Sequence, residues 1–208
     1  MNDPTQSIID IYDTIADDFA KRYAGDLSDN PLIDSFLSKL PPNARILDLG
    51  CGAGQTVNYM TKKGFQVTGI DLSKKMLAIA KKNYPNCSFK MMDMQHIEFP
   101  QESFDGILSS YSLIHVPDAC ILEVLLNYYR ILKKDGWIAI FGQQGEPDHY
   151  IQTKIPPNTL TFFNFFTPER ITQKLKQAGF SIISIDSIPS DEPSFNMSDT
   201  NLYILAKK

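Results

Sequence analysis

Asp48, Gly50, Gly52 and Gly54 recur at every second position in Ile-Leu-Asp-Leu-Gly-Cys-Gly-Ala-Gly, residues 46 to 54. Ile46, Leu47 and Leu49 read as a buried strand, the glycines as a sharp turn, and Gln55 as the start of a helix. Glycines without Cβ atoms let a ligand lie directly on the main chain. The carboxyl end of a strand in an α/β sheet is where a nucleotide-like ligand binds. The spacing excludes two such ligands. A dinucleotide loop needs G-x-G-x-x-G, but here the third glycine comes one residue early and Gln55 follows it. A P-loop needs a Lys that this stretch lacks. Asp48 would repel a pyrophosphate and favour an ammonium or a sulfonium, so the loop suits a nucleoside that carries a zwitterionic amino acid. Asp71 closes the next apolar run, in Val-Thr-Gly-Ile-Asp-Leu-Ser, where a carboxylate can accept two hydrogen bonds from a ribose diol.

The elements that must hold these groups follow from apolar period and breakers. Ile8, Ile11, Tyr12, Ile15, Phe19 and Tyr23 are spaced for a helix over 7–24, and Pro41-Pro42 stops a second helix over 31–40. Strands are expected at 44–49, 65–70, 88–92, 104–110 and 137–141. Helices are expected at 55–63, from a Ser73 cap to before Pro85, at 118–132, and from Thr167-Pro168 to Gly179. Lys-Lys-Asp-Gly at 133–136 reads as the turn into the fifth strand, and 142–166 as a long irregular loop. Strands at 180–185 and 202–206 have no helix between them and read as an antiparallel pair joined by a long polar loop. Alternation of this kind implies a parallel sheet with helices on both faces. The whole chain, 1–208, reads as one domain.

Composition narrows the partners. The 208 residues carry a net charge of −4, and a nucleic-acid surface would want a basic face. Cys51, Cys87 and Cys120 are scattered, without metal spacing, and read as reduced thiols of a cytoplasmic protein. The N-terminus lacks the basic and apolar regions of a signal peptide, and no stretch has the length of a membrane span. His96, His115 and His149 are scattered, so no metal site is expected.

Asp-Leu-Gly-Cys-Gly-Ala-Gly, followed at the expected distance by Asp71, resembles the first motif of the class I S-adenosylmethionine-dependent methyltransferases, in their small-molecule type. The resemblance runs over nearly the whole chain. It implies a Rossmann-like α/β fold: a seven-stranded, mostly parallel sheet with an antiparallel last strand. It also implies S-adenosyl-L-methionine as cofactor, S-adenosyl-L-homocysteine as product and a small-molecule acceptor. Carried over by position, Gly50, Cys51, Gly52 and Gly54 line the cofactor, Asp48 orders the loop and the methionine end, and Asp71 takes the ribose. Leu72, joined by Met76, packs on the adenine, Asp93 takes its exocyclic amine, and the N–H of Met94 serves a ring nitrogen. Main-chain carbonyls near Ser109 receive the methionine ammonium. Tyr111 and His115 fall where the methyl group should sit and are the catalytic candidates, with Glu146 and His149 as further possible bases. The leading helices within 1–40 form a cap in which Tyr12 contacts the methionine end, and 142–166 is the expected substrate loop.

The Asn/Asp-Pro-Pro-Tyr of enzymes that methylate adenine or glutamine nitrogens is missing after the fourth strand, which turns the expectation away from nucleic-acid bases. Phe162, Phe163, Phe165 and Phe166 read either as core or as the wall of an apolar pocket. Two other readings remain at this stage: a nucleoside-binding module that regulates a partner without turnover, and a nicotinamide oxidoreductase. Neither the acceptor nor the oligomeric state is legible.

Overall fold

The computed structural model describes residues 4–25, 28–154, 157–190 and 199–208. Its centre is a seven-stranded sheet built from β1 (Arg45–Leu49), β2 (Gln66–Asp71), β3 (Ser88–Met91), β4 (Phe104–Ser110), β5 (Leu132–Gln143), β8 (Ser181–Pro189) and β9 (Thr200–Lys207). The strand order is β3-β2-β1-β4-β5-β9-β8, with β9 antiparallel to both of its neighbours and the other pairings parallel. A parallel strand must be apolar on both faces because crossover helices cover both. Ile46, Leu47, Leu49, Ile107 and Leu108 are accordingly fully buried.

The helices are α1 (Thr5–Arg22), α2 (Asn30–Leu37), α3 (Gln55–Lys62), α4 (Lys74–Asn83), α5 (Asp118–Ile131) and α6 (Pro168–Gln177). Phe36 of α2, Met60 of α3 and Ala80 of α4 pack on one face of the sheet; Leu125 of α5 and Ile171 of α6 pack on the other. Ser73 caps α4, its Oγ accepting from Met76 N–H at 3.1 Å, and Thr167 caps α6 by the same geometry on Arg170. The sheet order reverses between β1 and β4, so the crevice for a ligand opens at their carboxyl ends.

Two expectations are corrected. The segment 142–166 is not irregular: β5 runs on to Gln143, and β6 (His149–Lys154) pairs antiparallel with β7 (Pro157–Phe163) as a separate hairpin. Its strands turn from period two to an aromatic run at Phe162, which hides the alternation. Lys133 to Gly136 does not form a free turn; it is carried within β5 beside a register shift at Phe104/Gly106, with Asp135 at φ 63°. Phe162, Phe163, Phe165 and Phe166, read as core or as pocket wall, are all buried. The loop expected between the last two strands falls largely on 191–198, outside the described residues.

The glycine turn is tight for a packing reason. Gly54 sits at φ 88°, and a Cβ there would stand 2.8 Å from the Phe89 ring and 3.0 Å from Ala80 Cβ. Gly54→Ala combines left-handed strain with overpacking, so it should lower the unfolding free energy in urea by about 2–3 kcal/mol. A loss below about 0.5 kcal/mol would contradict this account of the turn.

Candidate active site

Asp48 and Asp71 end adjacent parallel strands, with the glycine turn between them. Asp71 Oδ2 accepts from Gly52 N–H and its Oδ1 from Ser73 N–H, each at 2.8 Å. One carboxylate thereby ties the glycine turn to the start of α4. Burial and the Asp13 charge push the Asp71 pKa up, and the main-chain donors on it pull the other way. Asp48 is buried, and among the described residues its Oδ2 has no hydrogen-bond partner. Burial first, and then the charge of Asp71, raise its pKa to about 8. Asp48 is therefore largely neutral at pH 7 until a cation arrives.

Gly50 is required by its neighbours: a Cβ would meet Ser112 Cβ at 2.5 Å and Met94 Cε at 3.3 Å. The Met94 side chain thus reaches the turn. Gly52 differs, because a Cβ on it would find only Phe19 Cε1, at 3.9 Å, leaving room against the backbone. Cys51, expected to line the cofactor, is held within the turn. Its N–H donates to Ile70 O, its carbonyl accepts from Gly54 N–H, and its thiol lies against Gly69. Burial raises the thiol pKa far up, so Cys51 builds the turn and is inert.

Asp93 anchors its own turn, Oδ1 accepting from Gln95 N–H at 2.8 Å and Oδ2 facing His96 Nδ1 at 3.2 Å. Leu72 is half-buried, while Met76 is fully buried among Ala16, Ala53, Tyr12 and Phe19, beneath α1. Ser109 is also fully buried, its hydroxyl 2.8 Å from that of Ser112.

Tyr111 and His115, the two catalytic candidates, make different contacts. Tyr111, at φ 50° after β4, sends its hydroxyl to Tyr203 on β9, 3.1 Å away. His115 ends the short 3₁₀ turn Leu113–His115, and its Nε2 meets the Tyr12 hydroxyl of α1 at 2.9 Å. His115 Nδ1 lies 3.3 Å from the Phe162 carbonyl, which can only accept. The neutral imidazole thus carries its proton on Nδ1, and Nε2 accepts from Tyr12. Burial lowers the His115 pKa to about 4 and raises that of Tyr12.

Sequence reasoning missed the residues that hold this arrangement. Asn164, fully buried, donates from its N–H to Ile114 O and from its side-chain amide to Val116 O, gripping the chain on both sides of His115. The only signal for it was one polar residue in a phenylalanine run. Asp13 clamps α1 across the start of α4, its Oδ1 accepting from Ser73 Oγ at 2.5 Å and Lys75 N–H at 3.2 Å. Gln143 ends β5 buried, with an Oε1 that has no partner. Among the described residues no cluster of three His, Cys, Asp or Glu could hold a metal ion, and no helix is long and apolar enough to cross a membrane. A concavity of about 340 Å³ lies at the opposite end of the sheet, lined by Arg45, Gln66, Ser88 and Phe104 among others, and has no such convergence of groups.

Comparison with known proteins agrees with this geometry. A family profile described as a methyltransferase domain matches residues 46–136. An uncharacterized methyltransferase of Synechocystis is 28% identical over 152 residues, covering 69% of this chain and 70% of the relative. A ubiquinone biosynthesis O-methyltransferase of Paracidovorax citrulli is 27% identical over 176 residues, covering 74% and 71%. Among solved structures, the 1,6-didemethyltoxoflavin-N1-methyltransferase of Burkholderia thailandensis, with its substrate and S-adenosylhomocysteine bound, aligns with a TM-score of 0.75 at 20% identity. That alignment spans all of this chain and 91% of the other, and at this identity it speaks for the fold.

The raised Asp48 pKa has a sign that can be measured. A folded-state pKa above the unfolded carboxylate value adds stability that is complete below the unfolded value and is lost as pH rises through about 8. Asp48→Asn removes that loss. Its unfolding free energy relative to the wild type should therefore rise by about 4 kcal/mol between about pH 5 and about pH 8.5. Parallel pH profiles in urea denaturation would contradict a proton held on Asp48.

Proposed function

We propose that the chain is a class I S-adenosylmethionine-dependent methyltransferase that transfers a methyl group from that cofactor to a small-molecule acceptor. The observation that carries this reading is the buried Asp48 Oδ2 left without a partner beside the glycine turn. A cation of the size of an amino-acid ammonium would satisfy it and draw its proton off. The open main chain at Gly52 and the half-buried Asp71 beyond it suit the rest of the same molecule.

When bound, S-adenosylmethionine supplies a methyl group already activated by its sulfonium. The chain's own part is to place the acceptor in line with that methyl and keep water out. Asp71 would hold the ribose through lone pairs not used by Gly52 and Ser73, and Leu72, Met94 and Asp93 would frame the adenine. Asp48, with the carbonyls near Ser109, would face the methionine end. Residues 1–40 would serve as the cap. The β6–β7 hairpin within 142–166 would be the acceptor wall, Phe163 standing 5.3 Å from the His115 ring. His115 is the proton acceptor in this scheme, kept neutral by burial. Tyr111 is the second catalytic candidate, its hydroxyl 3.1 Å from that of Tyr203. The acidic composition agrees with an acceptor other than nucleic acid and, with its reduced thiols, with a cytoplasmic setting.

A methyl-labelled cofactor should deliver label to extractable small molecules from a panel of hydroxylated and nitrogenous ring compounds, and to neither nucleic acid nor protein. Tight cofactor binding with no turnover on any acceptor would favour a regulatory binding module instead. Asp71→Ala should weaken S-adenosylhomocysteine binding in isothermal titration by about 1.5–3 kcal/mol, the range for a charged hydrogen-bond partner. Unchanged affinity in a folded variant would remove Asp71 from the site.

A further inference from the structure

We propose that the methyl acceptor is a neutral, flat molecule bearing a ring hydroxyl, and that this hydroxyl takes the place now held by the Tyr12 phenol on Nε2 of His115. The inference rests on the methyltransferase reading and names the acceptor chemistry of that site. Nδ1 of His115 is committed to the Phe162 carbonyl, so Nε2 offers the ring's one free lone pair. Among the described residues the group on that lone pair is the Tyr12 hydroxyl, at 2.9 Å. A phenol already sits in the place where a protic acceptor would have to give up its proton.

The surroundings of that phenol describe what fits. Its ring meets His115 edge to face, with centroids 5.4 Å apart and planes at 79°, and meets Phe19 in the same manner at 5.9 Å. Phe163 flanks the imidazole at 5.3 Å and Phe165 stands 5.7 Å beyond it. Rings around one lone pair select a flat apolar body with a single donor. A carboxylate is disfavoured, because a neutral imidazole accepts rather than donates at Nε2 and the Asp71 charge acts on the same spot. An aliphatic ammonium would present a strongly hydrated charge to an aromatic wall.

Tyr12 can leave without unfolding the site. It belongs to α1, which has a separate polar tether in Asp13 on Ser73 and Lys75. His115 is held independently, by Asn164 on either side and by Phe162 at Nδ1. The floor therefore stays in place while the lid yields one hydroxyl. With the acceptor seated, its oxygen forms a bond to the methyl carbon as its proton passes to Nε2 of His115. The sulfur keeps the electron pair of the bond that breaks, and the imidazolium returns the proton to water.

The probe is phenol itself, titrated into protein saturated with S-adenosylhomocysteine, with anisole and aniline as controls. Tyr12→Phe keeps the ring and removes the competing hydroxyl, so it should bind phenol about tenfold more tightly than the wild type. Anisole and aniline should show no such gain, and His115→Phe in the same background should abolish it. No gain for phenol, or an equal gain for either control, would overturn the proposal. Imidazole ¹⁵N spectra of the wild type give a reading that needs no variant. They should show His115 protonated at Nδ1, with its Nε2 signal shifting as phenol is added; an Nε2–H tautomer or an unmoved signal would equally overturn it. Failure of S-adenosylhomocysteine to bind would instead strike the methyltransferase reading. Binding of that product without the phenol gain would strike this inference alone.

Discussion

Everything at this site depends on the burial of two carboxylates at the carboxyl ends of neighbouring strands. Asp48 and Asp71 could not both be ionised at such a place without compensation. Asp71 finds it in two main-chain donors, one from the glycine turn and one from the start of α4. Asp48 has no equivalent for its Oδ2, and its pKa rises. The turn is therefore more than a ligand cradle. Its Gly52 N–H favours the charged form of Asp71 against the effect of burial, and the same arrangement leaves Asp48 needing a cation. A ligand with a diol at one end and an ammonium at the other answers both requirements.

The upper half of the site follows from what must cover that pair. Helix α1 lies across it, docked by Asp13 on the start of α4, where a carboxylate meets the helix N-terminal donors. On the far side the β6–β7 hairpin reaches back to the turn after β4. Phe162 and Asn164 together bond to residues 114, 115 and 116. His115 thus stands between a lid and a wall, with one lone pair toward the interior. The barrier to a protic acceptor is local: one phenol hydroxyl on that lone pair.

What the chain disclosed in advance was whatever depends on local backbone demand. Gly50, Gly52 and Gly54 announce a turn, the apolar runs before Asp48 and Asp71 announce parallel strands, and Ser73 and Thr167 announce helix starts. Each of these is decided within a few residues. The parts that did not show are long-range pairings. Tyr12 and His115 are 103 residues apart and Asp13 and Ser73 are 60 apart, and no spacing rule joins them. Asn164 was hidden among phenylalanines, and the hairpin was hidden because the aromatic run that begins at Phe162 breaks the alternation of β7. Tyr111 and Tyr203, 92 residues apart, are a pairing of the same kind.

The measurement that tests the central claim most directly is amide chemical-shift mapping of the protein titrated with S-adenosylhomocysteine. The largest changes should fall on Gly50, Gly52, Asp71, Leu72 and Met94, at the carboxyl ends of β1, β2 and β3. The residues of the opposite concavity, Arg45, Gln66 and Ser88, should stay unmoved. Changes centred on that opposite end, or none anywhere at saturating ligand, would contradict the account.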